Sequence, residues 1–379
     1  MNQRELNELR RRFHRDRSNI SHVFGCYVNS NRSVISWIDA ALGPMPQEER
    51  EMYLGLLKKS LSGALGRNLI DINFATRQVA DSDEHRLLQV LRQSALQDRE
   101  AREELCRRII ESIDMRERNY LILLAADAYD VPHKSRNDEF QPEASDQVFR
   151  YFVCAVCPVR DPELELCYCM EESEFHSRPT GRAVSAPELG FLFPAFDNRA
   201  ANIYHALFYN RSAEQLHQEV IDALFRVVPP MSAAQQKNTF DAALGAALEE
   251  DCSYDVVQAI HEQLCARIEE HKESKDPQPL SLSIGEIGRI LENGGAEPKR
   301  VVRFREECGR QFGNEAQLIP GNIIESKKFE VSTAEIRITV APENSHLIET
   351  RVINGRKFIL VPADGEVKVN GMDVTIPKE

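Results

Sequence analysis

Two apolar runs decide the fold class of this chain: YLILLAA (120–126) and VFRYFVCAVCPV (148–159). The first run is continuous and has the length that is typical of a strand buried on both faces. The second run is followed, across residues 160–163, by LELCYCMEE (164–172), and together these segments predict a β-hairpin. The polar stretch 132–147 between the two runs lacks periodicity, so it predicts a surface loop.

The rest of residues 1–197 mixes short β-rich runs with helical periodicity. Leu6, Leu9 and Phe13 recur at helical spacing, which predicts a first helix over 4–13. The same criteria predict a hairpin over 21–39, a helix over 47–61, a strand over 68–74, and helices near 83–96 and 99–113. Strands braced by helices in this order predict an α+β domain over residues 1–197.

The character of the sequence changes after Pro194. Residues 198–272 carry helical periodicity almost throughout, and we expect a helical region packed on the first domain. The charged, proline-bearing segment 273–281 predicts a linker. Beyond it, Ser283 and Glu286 match a capping box at the start of a helical hairpin predicted over 282–313.

The last segment, 320–379, predicts a small all-β module. Two Asn-Gly dipeptides, 354–355 and 370–371, lie between alternating runs such as RKFILV and EVKV. Asn-Gly tolerates positive φ at both central positions of a type I′ turn, so each dipeptide predicts a tight hairpin. The chain as a whole is therefore predicted to be α+β, with a mixed sheet-plus-helix N-terminal domain, a helical middle region and a small C-terminal all-β module.

Composition and charge limit the class of protein. A chain of 379 residues, at roughly 100–200 residues per domain, predicts two or three domains. Lys and Arg number 47 against 60 Asp and Glu, and this net charge of −13 argues against a nucleic-acid binder that uses its whole surface. No apolar stretch approaches the roughly 18–20 residues of a membrane span. Nine cysteines, an odd number in a long chain, favour reduced thiols and a cytoplasmic location.

Familiar catalytic signatures are missing, since the sequence contains no Walker loop, GxGxxG, GxSxG or HExxH motif. The nearest approach is HEQLC (261–265), in which His261 and Cys265 lie one helical turn apart and both residue types bind zinc. Both residues also lie in or beside an apolar stripe that includes Ile260 and Leu264. Packing in a helical core is therefore the favoured interpretation, and a metal site is the alternative.

Four cysteines within sixteen residues, Cys154, Cys157, Cys167 and Cys169, raise the question of a zinc site. Residues three apart on a regular strand point to opposite faces, so Cys154 and Cys157 converge only if a turn intervenes. Buried strand cysteines are the favoured interpretation, and a zinc site or a redox pair are the alternatives.

Acidic residues and histidines near the predicted strands are candidates for a metal-dependent hydrolase, because such enzymes place ligands at strand ends. The candidates are Asp71, Asp81, Asp83, His85, Asp127, Asp130, Glu174, His176 and Glu188. Helix capping accounts for Asp81 and Asp83 equally well, and turn chemistry for Asp130. Glu174 and His176 are spaced to share one face of a strand.

Two segments are candidates for nucleic-acid contacts. The first is the N-terminal helix with its arginines at 4, 10, 11, 12, 15 and 17. A solvated helix face, or salt bridges to the protein's own acidic body, is the favoured interpretation of these arginines, and contact with RNA, anionic lipid or an acidic partner is the alternative. The second is the helical pair 283–312, which has the length of a helix-turn-helix. Its balanced charge, with glutamates at 292, 297, 306 and 307, argues against insertion into a groove.

The segment GFLFPAF (190–196), together with Tyr204, Phe208 and Tyr209, holds much of the aromatic content of the chain. A core plug is the favoured interpretation of this segment, and an aromatic-lined pocket is the alternative.

Long strings of the chain resemble a bacterial family known as domain of unknown function 4317. The strings are RRFHRDRSNISHVFGCYVN, LLKKSLSGALGRNLIDINF, DSDEHRLLQVLR, NYLILLAADAYDVP, SAPELGFLFPAFDNRAANIYHALFY, AIHEQLCARIEEHKESK and LIETRVINGRKFILVPADG. The resemblance spans nearly the whole chain and implies a cytosolic bacterial protein. The family carries no assigned activity, substrate or catalytic residue.

From these observations we expect a non-enzymatic cytoplasmic binding or assembly protein that acts through protein–protein contacts, with a protein partner or a second copy. No cofactor is expected, and neither a membrane contact nor nucleic acid, apart from the N-terminal arginines. A metal-dependent hydrolase, acting on phosphoesters and using acidic residues of the N-terminal domain, is the alternative. The two differ in that a hydrolase needs a divalent ion.

Overall fold

A computed structural model describes residues 1–134, 140–179 and 181–375 of the chain. The chain forms two compact units, one of residues 1–233 with 277–279 and the other of residues 234–276 with 280–379. Its large antiparallel sheet and many helices confirm the predicted α+β class.

The first unit is built on one large sheet. The strands of this unit, in chain order, are β1 (His22–Val28), β2 (Val34–Ala41), β3 (Leu69–Asn73), β4 (Tyr120–Lys134), β5 (Phe140–Arg160), β6 (Leu164–Cys169), β7 (Glu174–Pro179), β8 (Ala183–Val184), β9 (Leu189–Phe193), β10 (Ala195–Asp197), β11 (Ala200–Asn202) and β12 (His205–Asn210). The sheet runs in the order β2-β1-β4-β5-β9-β12-β3, and every neighbouring pair is antiparallel. β8 adds to the end of β5, while β6 with β7 and β10 with β11 form separate two-stranded ribbons.

Helices cover both faces of this sheet. They are α1 (Gln3–Arg12), α2 (Gln47–Lys59), α3 (Thr76–Asp81), α4 (Asp83–Gln93), α5 (Arg99–Ser112) and α6 (Gln218–Phe225). One core, on what we call the α5 face, joins alternate residues of the strands to α4, α5 and α6. The other core, on the α1 face, joins the remaining strand residues to α1 and α2. Burial on both faces explains why the central strands are continuously apolar.

Two predictions around the central strands are wrong. Residues 132–134 and 140–147 extend β4 and β5 rather than forming a loop. Main-chain hydrogen bonds between the two strands continue past the apolar run, and Val131 pairs with Gln147. Residues 135–139 of the predicted loop lie outside the described residues. The predicted hairpin of 148–159 with 164–172 does not form either. Both edges of β5 are occupied, by β4 and β9, so β6 pairs with β7 instead.

The prediction of helix from residue 198 onward is wrong for its first part, where β11 and β12 lie. Apolar side chains of β12 (HALFYN) pack into both cores, with Phe208 on the α5 face and Leu207 on the α1 face. A short apolar run that is buried on both faces cannot be told from a helical segment by periodicity. Helices begin at α6, as the periodicity predicts for the later residues.

The second unit has a helical core and a set of small antiparallel pairs. Its helices are α7 (Ala233–Leu248), whose first residue still belongs to the first unit, α8 (Tyr254–Ser274), α9 (Ile284–Asn293), α10 (Pro298–Phe312) and α11 (Pro320–Ile323), with 3₁₀ helices at Glu249–Asp251 and Pro342–Leu347. Its strands are β13 (Leu282–Ser283), β14 (Gln317–Leu318), β15 (Phe329–Ser332), β16 (Arg337–Val340), β17 (Glu349–Ile353), β18 (Arg356–Leu360), β19 (Val367–Val369) and β20 (Met372–Val374). Phe240, Leu264, Leu291 and Phe304 lie at the centre of its core.

Local signals in this unit are confirmed. Ser283 and Glu286 cap α9 reciprocally, with the Glu286 amide donating to Ser283 Oγ over 3.2 Å and the Ser283 amide donating to Glu286 Oε2 over 2.8 Å. Asn354 and Gly355 have φ of +49° and +79°, and Asn370 and Gly371 have +51° and +83°, as two-residue hairpins require. The finer division of the chain at 198–272, 273–281, 282–313 and 320–379 remains a prediction.

Candidate functional site

The ribbon of β6 and β7 presents an apolar face to solvent. Leu164, Leu166 and Tyr168 alternate along β6 and therefore share one face, and Phe175 lies opposite Tyr168 on β7 with ring centroids 5.2 Å apart. The exposed fractions of these side chains are 74 %, 71 %, 52 % and 63 %. We call these four residues the ribbon patch. Met170, in the turn that joins the strands, is 87 % exposed beside them.

Large exposed apolar patches mark contact surfaces in soluble proteins, and this makes the ribbon patch a candidate for part of such a surface. The alternation of LELCYC is present in the sequence, but a half-buried strand carries the same pattern, so the sequence alone does not reveal the patch. The ribbon is separate from the large sheet, and this placement is what leaves its apolar face uncovered among the described residues.

The opposite face of the ribbon carries the polar candidates. Cys167 lies opposite His176, and Cys169 lies opposite Glu174, so all four share that face. Glu174 and His176 lie on one face of a strand, as predicted, and His176 Nε2 lies 2.6 Å from Glu172 Oε2.

Cys154 and Cys157 are buried in the large sheet and point into different cores, Cys154 on the α5 face and Cys157 on the α1 face. Burial raises the pKa of both thiols, that of Cys157 to about 12. Among residues 1–134, 140–179 and 181–375, no three His, Cys, Asp or Glu side chains are placed to hold a metal ion. The geometry of these two strand cysteines therefore supports packing and not a four-cysteine site.

Asp127, one of the predicted hydrolase residues, lies in a buried charge network on the α1 face. Arg12 Nε donates to Asp127 Oδ2 over 3.2 Å, and the Tyr151 hydroxyl donates to the same oxygen over 2.9 Å. The Asp127 side chain has no exposed surface. Burial, followed by the Asp127 charge, raises the pKa of Tyr151 well above its usual range. A neutralised carboxylate in this position holds α1 to β4 and β5.

A second ion pair extends this network. Glu8 accepts from the Tyr129 hydroxyl over 2.5 Å and pairs with Arg199 over 2.6 Å. Arg12 also lies 4.8 Å from the centroid of the Tyr129 ring, in a cation–π arrangement.

The other acidic candidates are dispersed. Asp71 on β3 pairs with His205 of β12 over 2.8 Å, and the sheet order places three strands between β3 and the strand of Asp127. At about 4.8 Å per strand, the two carboxylates are separated by roughly 19 Å. Asp130 lies exposed within β4, so turn chemistry does not explain it, and Glu188 precedes β9 with backbone bonds to Val156 and Arg211.

Helix capping explains the acidic start of α4 with one correction. Ser82 is the N-cap residue, its hydroxyl accepting from the His85 amide over 3.1 Å, while Asp83 lies in the first turn and Asp81 ends α3. His85 is buried, its Nε2 donates to the Ile203 carbonyl over 2.8 Å, and its ring packs edge-on against Phe74 and Phe193. That environment makes His85 a core residue. The described carboxylates thus do not assemble a site for the hydrolase alternative.

His261 and Cys265 lie together in α8. His261 Nε2 donates to the Glu325 carbonyl over 3.0 Å, and the Cys265 sulfur lies 3.7 Å from His261 Nδ1. Burial, followed by the Glu269 charge, raises the pKa of Cys265, which favours the neutral thiol over the thiolate that metal binding needs. The pair supports the core interpretation.

The N-terminal arginines serve the protein's own structure in part. Arg10 donates to the carbonyls of Leu61 and Gly63 over 2.7 and 2.9 Å, and Arg12 binds Asp127. Arg15 pairs with Asp16 over 3.2 Å, and Arg4, Arg11 and Arg17 are exposed. The favoured interpretation of intramolecular salt bridges is confirmed for Arg12.

The arginines of α10 have acidic partners. Arg300 binds Glu249 over 2.6 Å and Asp251 over 2.7 Å, and Arg305 binds Glu292 over 3.3 Å. Insertion into a DNA groove requires a basic helix, and these ion pairs neutralise the arginines of α10.

The aromatic segment is a core plug, as favoured. Phe191, Phe193 and Phe208 lie in the α5-face core, and Phe196 and Tyr209 lie in the α1-face core. Tyr204 is 42 % exposed and is not part of either core.

The fold and its surface define an α+β protein of two units, with an antiparallel sheet between two helical layers and an exposed apolar ribbon. The model of a protein family, Domain of unknown function (DUF4317), matches residues 1–372, and the chain belongs to this family. No curated protein matches the chain. None of the helices in the described part of the chain is long and apolar enough to cross a membrane.

Proposed function

We propose that this protein is a bacterial, cytoplasmic binding or assembly protein and that the ribbon patch is its contact with a partner protein. The observation that carries the proposal is the exposure of Leu164, Leu166, Tyr168 and Phe175 on one face of a ribbon. The nine cysteines are all free thiols, which supports a reducing compartment.

The size of the ribbon limits its role to that of an anchor. Six residues at about 3.3 Å each give a length of ~20 Å, and two strands give a width of ~10 Å, so one face covers ~200 Å². A standard interface buries about 800 Å² on each partner, so the partner also contacts surface beyond the ribbon. Burying a leucine fully is worth about 1.5–3 kcal/mol, so Leu164 and Leu166 add affinity, while Tyr168 is the candidate hot spot because tyrosine is enriched among such residues.

Charge around the patch indicates the chemistry of the partner. Residues 160–182 hold six acidic side chains against three arginines. An acidic rim repels a second copy of the same ribbon and attracts a basic one. We therefore propose a partner protein whose apolar surface is bordered by lysine or arginine.

Site-specific photocrosslinking tests this proposal. A benzophenone amino acid replaces Leu166 in one variant and Glu165, on the opposite face, in a matched control, and each is irradiated in native cell extract. The expected result is an adduct with one protein, formed at position 166 only and weakened by salt. Adducts of equal yield from both positions, or none from position 166, would contradict the proposed patch. An adduct between two copies of this chain would overturn the heterologous partner.

A further inference from the structure

A cleft of about 200 Å³ opens on the α5 face of the first unit, where β1, β4 and β5 pass the carboxyl end of α4. Its polar lining has a basic character. Arg92 and Arg150 supply the positive charge, and His22, Asn19, Gln93 and Gln97 add neutral or titratable polar groups. The strands β1, β4 and β5 and the helix α4 all belong to the first unit, so one core fixes the geometry of the cleft.

Two guanidinium groups face this cleft without a carboxylate. Arg92 Nε donates to the Arg150 carbonyl over 2.9 Å, which fixes Arg92 against β5, and a further nitrogen lies 3.4 Å from Gln89 Oε1. Within the described parts of the chain, neither Arg92 nor Arg150 has an acidic side chain within 4.0 Å. Asp127 borders the cleft, but its carboxylate lies on the α1 face with Arg12.

Two arginines without an acidic partner among the described residues lie close to each other at this cleft. The chain has 60 acidic against 47 basic residues, and many of its other described arginines bind carboxylates. Burial, followed by the charge of Arg150, lowers the pKa of Arg92, as expected where two like charges approach without a counter-charge. A bound anion would remove that repulsion and accept hydrogen bonds from both groups.

We propose that this cleft binds a phosphate group. Donors reach it from several elements: the guanidinium groups of Arg92 and Arg150, the imidazole of His22 on β1, and the amides of Gln93 and Gln97. Donors spread in this way match the three or four acceptor oxygens of a tetrahedral phosphate better than the two of a planar carboxylate. The volume of the cleft also leaves space for a small group esterified to the phosphate.

The test is isothermal titration calorimetry of the full chain at low ionic strength. The probes are inorganic phosphate, glycerol 3-phosphate and acetate, which separate free phosphate, a phosphate ester and a carboxylate. We expect both phosphate probes to bind and acetate to bind at least tenfold more weakly. Tighter binding of glycerol 3-phosphate than of inorganic phosphate would assign the site to an ester, and the reverse to the free ion.

Two variants of β5 that each remove one positive charge make the test specific. Arg150→Gln is expected to weaken phosphate binding by about tenfold or more, because one charge-assisted donor is lost. Arg160→Gln, which makes the same change at the far end of the same strand, is expected to leave the affinity within about twofold. Equal affinities in the two variants, or no binding of either phosphate probe to the wild type, would overturn the proposal. Unchanged urea unfolding of both variants establishes that folding is intact.

Discussion

Replacing Arg12 with leucine is expected to destabilise the first unit by about 3–4 kcal/mol. The change leaves the Asp127 carboxylate, which has no exposed surface, with the Tyr151 hydroxyl as its remaining partner. Removing one member of a buried pair costs about 3–5 kcal/mol. Arg12 retains 14 % exposure, so water reaches this site and the lower end of that range, about 3 kcal/mol, applies. Loss of the stacking on Tyr129 adds about 0.5–1 kcal/mol.

A double-mutant cycle separates the ion pair from the stacking. Asp127→Asn keeps an acceptor for Tyr151 and leaves the partly exposed Arg12 to water, so we expect a cost of about 1–2 kcal/mol. In the double variant no buried charge lacks its partner, and the cost should be about 2–3 kcal/mol. The two single changes would then exceed the double change by about 2 kcal/mol.

Urea unfolding followed by tryptophan fluorescence measures these costs. Trp37 is the only tryptophan and lies in β2 of the large sheet, so its signal reports the first unit without the second. Arg11→Leu, at an exposed neighbouring position, is the control and should change stability by less than about 0.5 kcal/mol. Additive costs in the cycle, or an Arg12→Leu variant as stable as the control, would refute a buried ion pair.

Three further substitutions and a pH series test the packing of the first unit. Gly25→Ala should destabilise the first unit by more than about 3 kcal/mol in the same assay, because a Cβ there would lie 1.9 Å from the Ile122 carbonyl oxygen. Gly55 in α2 has open space around it, so Gly55→Ala should stabilise the first unit by up to about 1 kcal/mol. Burial raises the pKa of Cys157 from 9.0 to about 12, so above about pH 9 the folded state binds more protons than the unfolded state. The free energy of unfolding should therefore fall from about pH 9 upward, by up to about 1.4 kcal/mol per pH unit. Cys157→Ala should lack this part of the slope, and an equal slope in both proteins would contradict the buried thiol.

Signals that depend on neighbouring residues could be predicted from the sequence. The Asn354-Gly355 turn and the Ser283–Glu286 capping box each rest on residues one to three positions apart, and both form. The continuous apolar run 120–126 predicts a strand buried on both faces, which β4 is over that range. In the turn and the capping box the pattern contains the partners that stabilise the structure, whereas the apolar run indicates burial on both faces without indicating the strands that pair with it.

Strand pairing could not be predicted in the same way. The run 148–159 is followed by an alternating strand after a short turn, and that pattern favours a hairpin. β5 instead lies between β4 and β9, and the order of the sheet decides which strands remain for β6. The exposed ribbon patch results from this pairing, so the patch could not be predicted before the pairing was known.

The arginines show why the candidate sites could not be predicted from the sequence. Arg12 lies 115 residues from the Asp127 that neutralises it, and Arg10 binds two main-chain carbonyls. Arg150 faces a cleft with no acidic partner within the described residues. All three are the same residue type in a chain with excess acid, so charge counting treats them alike. Arg12 and Arg10 each have acceptors within their own fold, a carboxylate and main-chain carbonyls, whereas the Arg150 guanidinium has no acidic partner among the described residues. That absence is a property of the assembled sheet, and it places the phosphate hypothesis at Arg150 and Arg92, outside the arginine-rich N-terminal helix, for which anion contacts are only the alternative that the sequence leaves open.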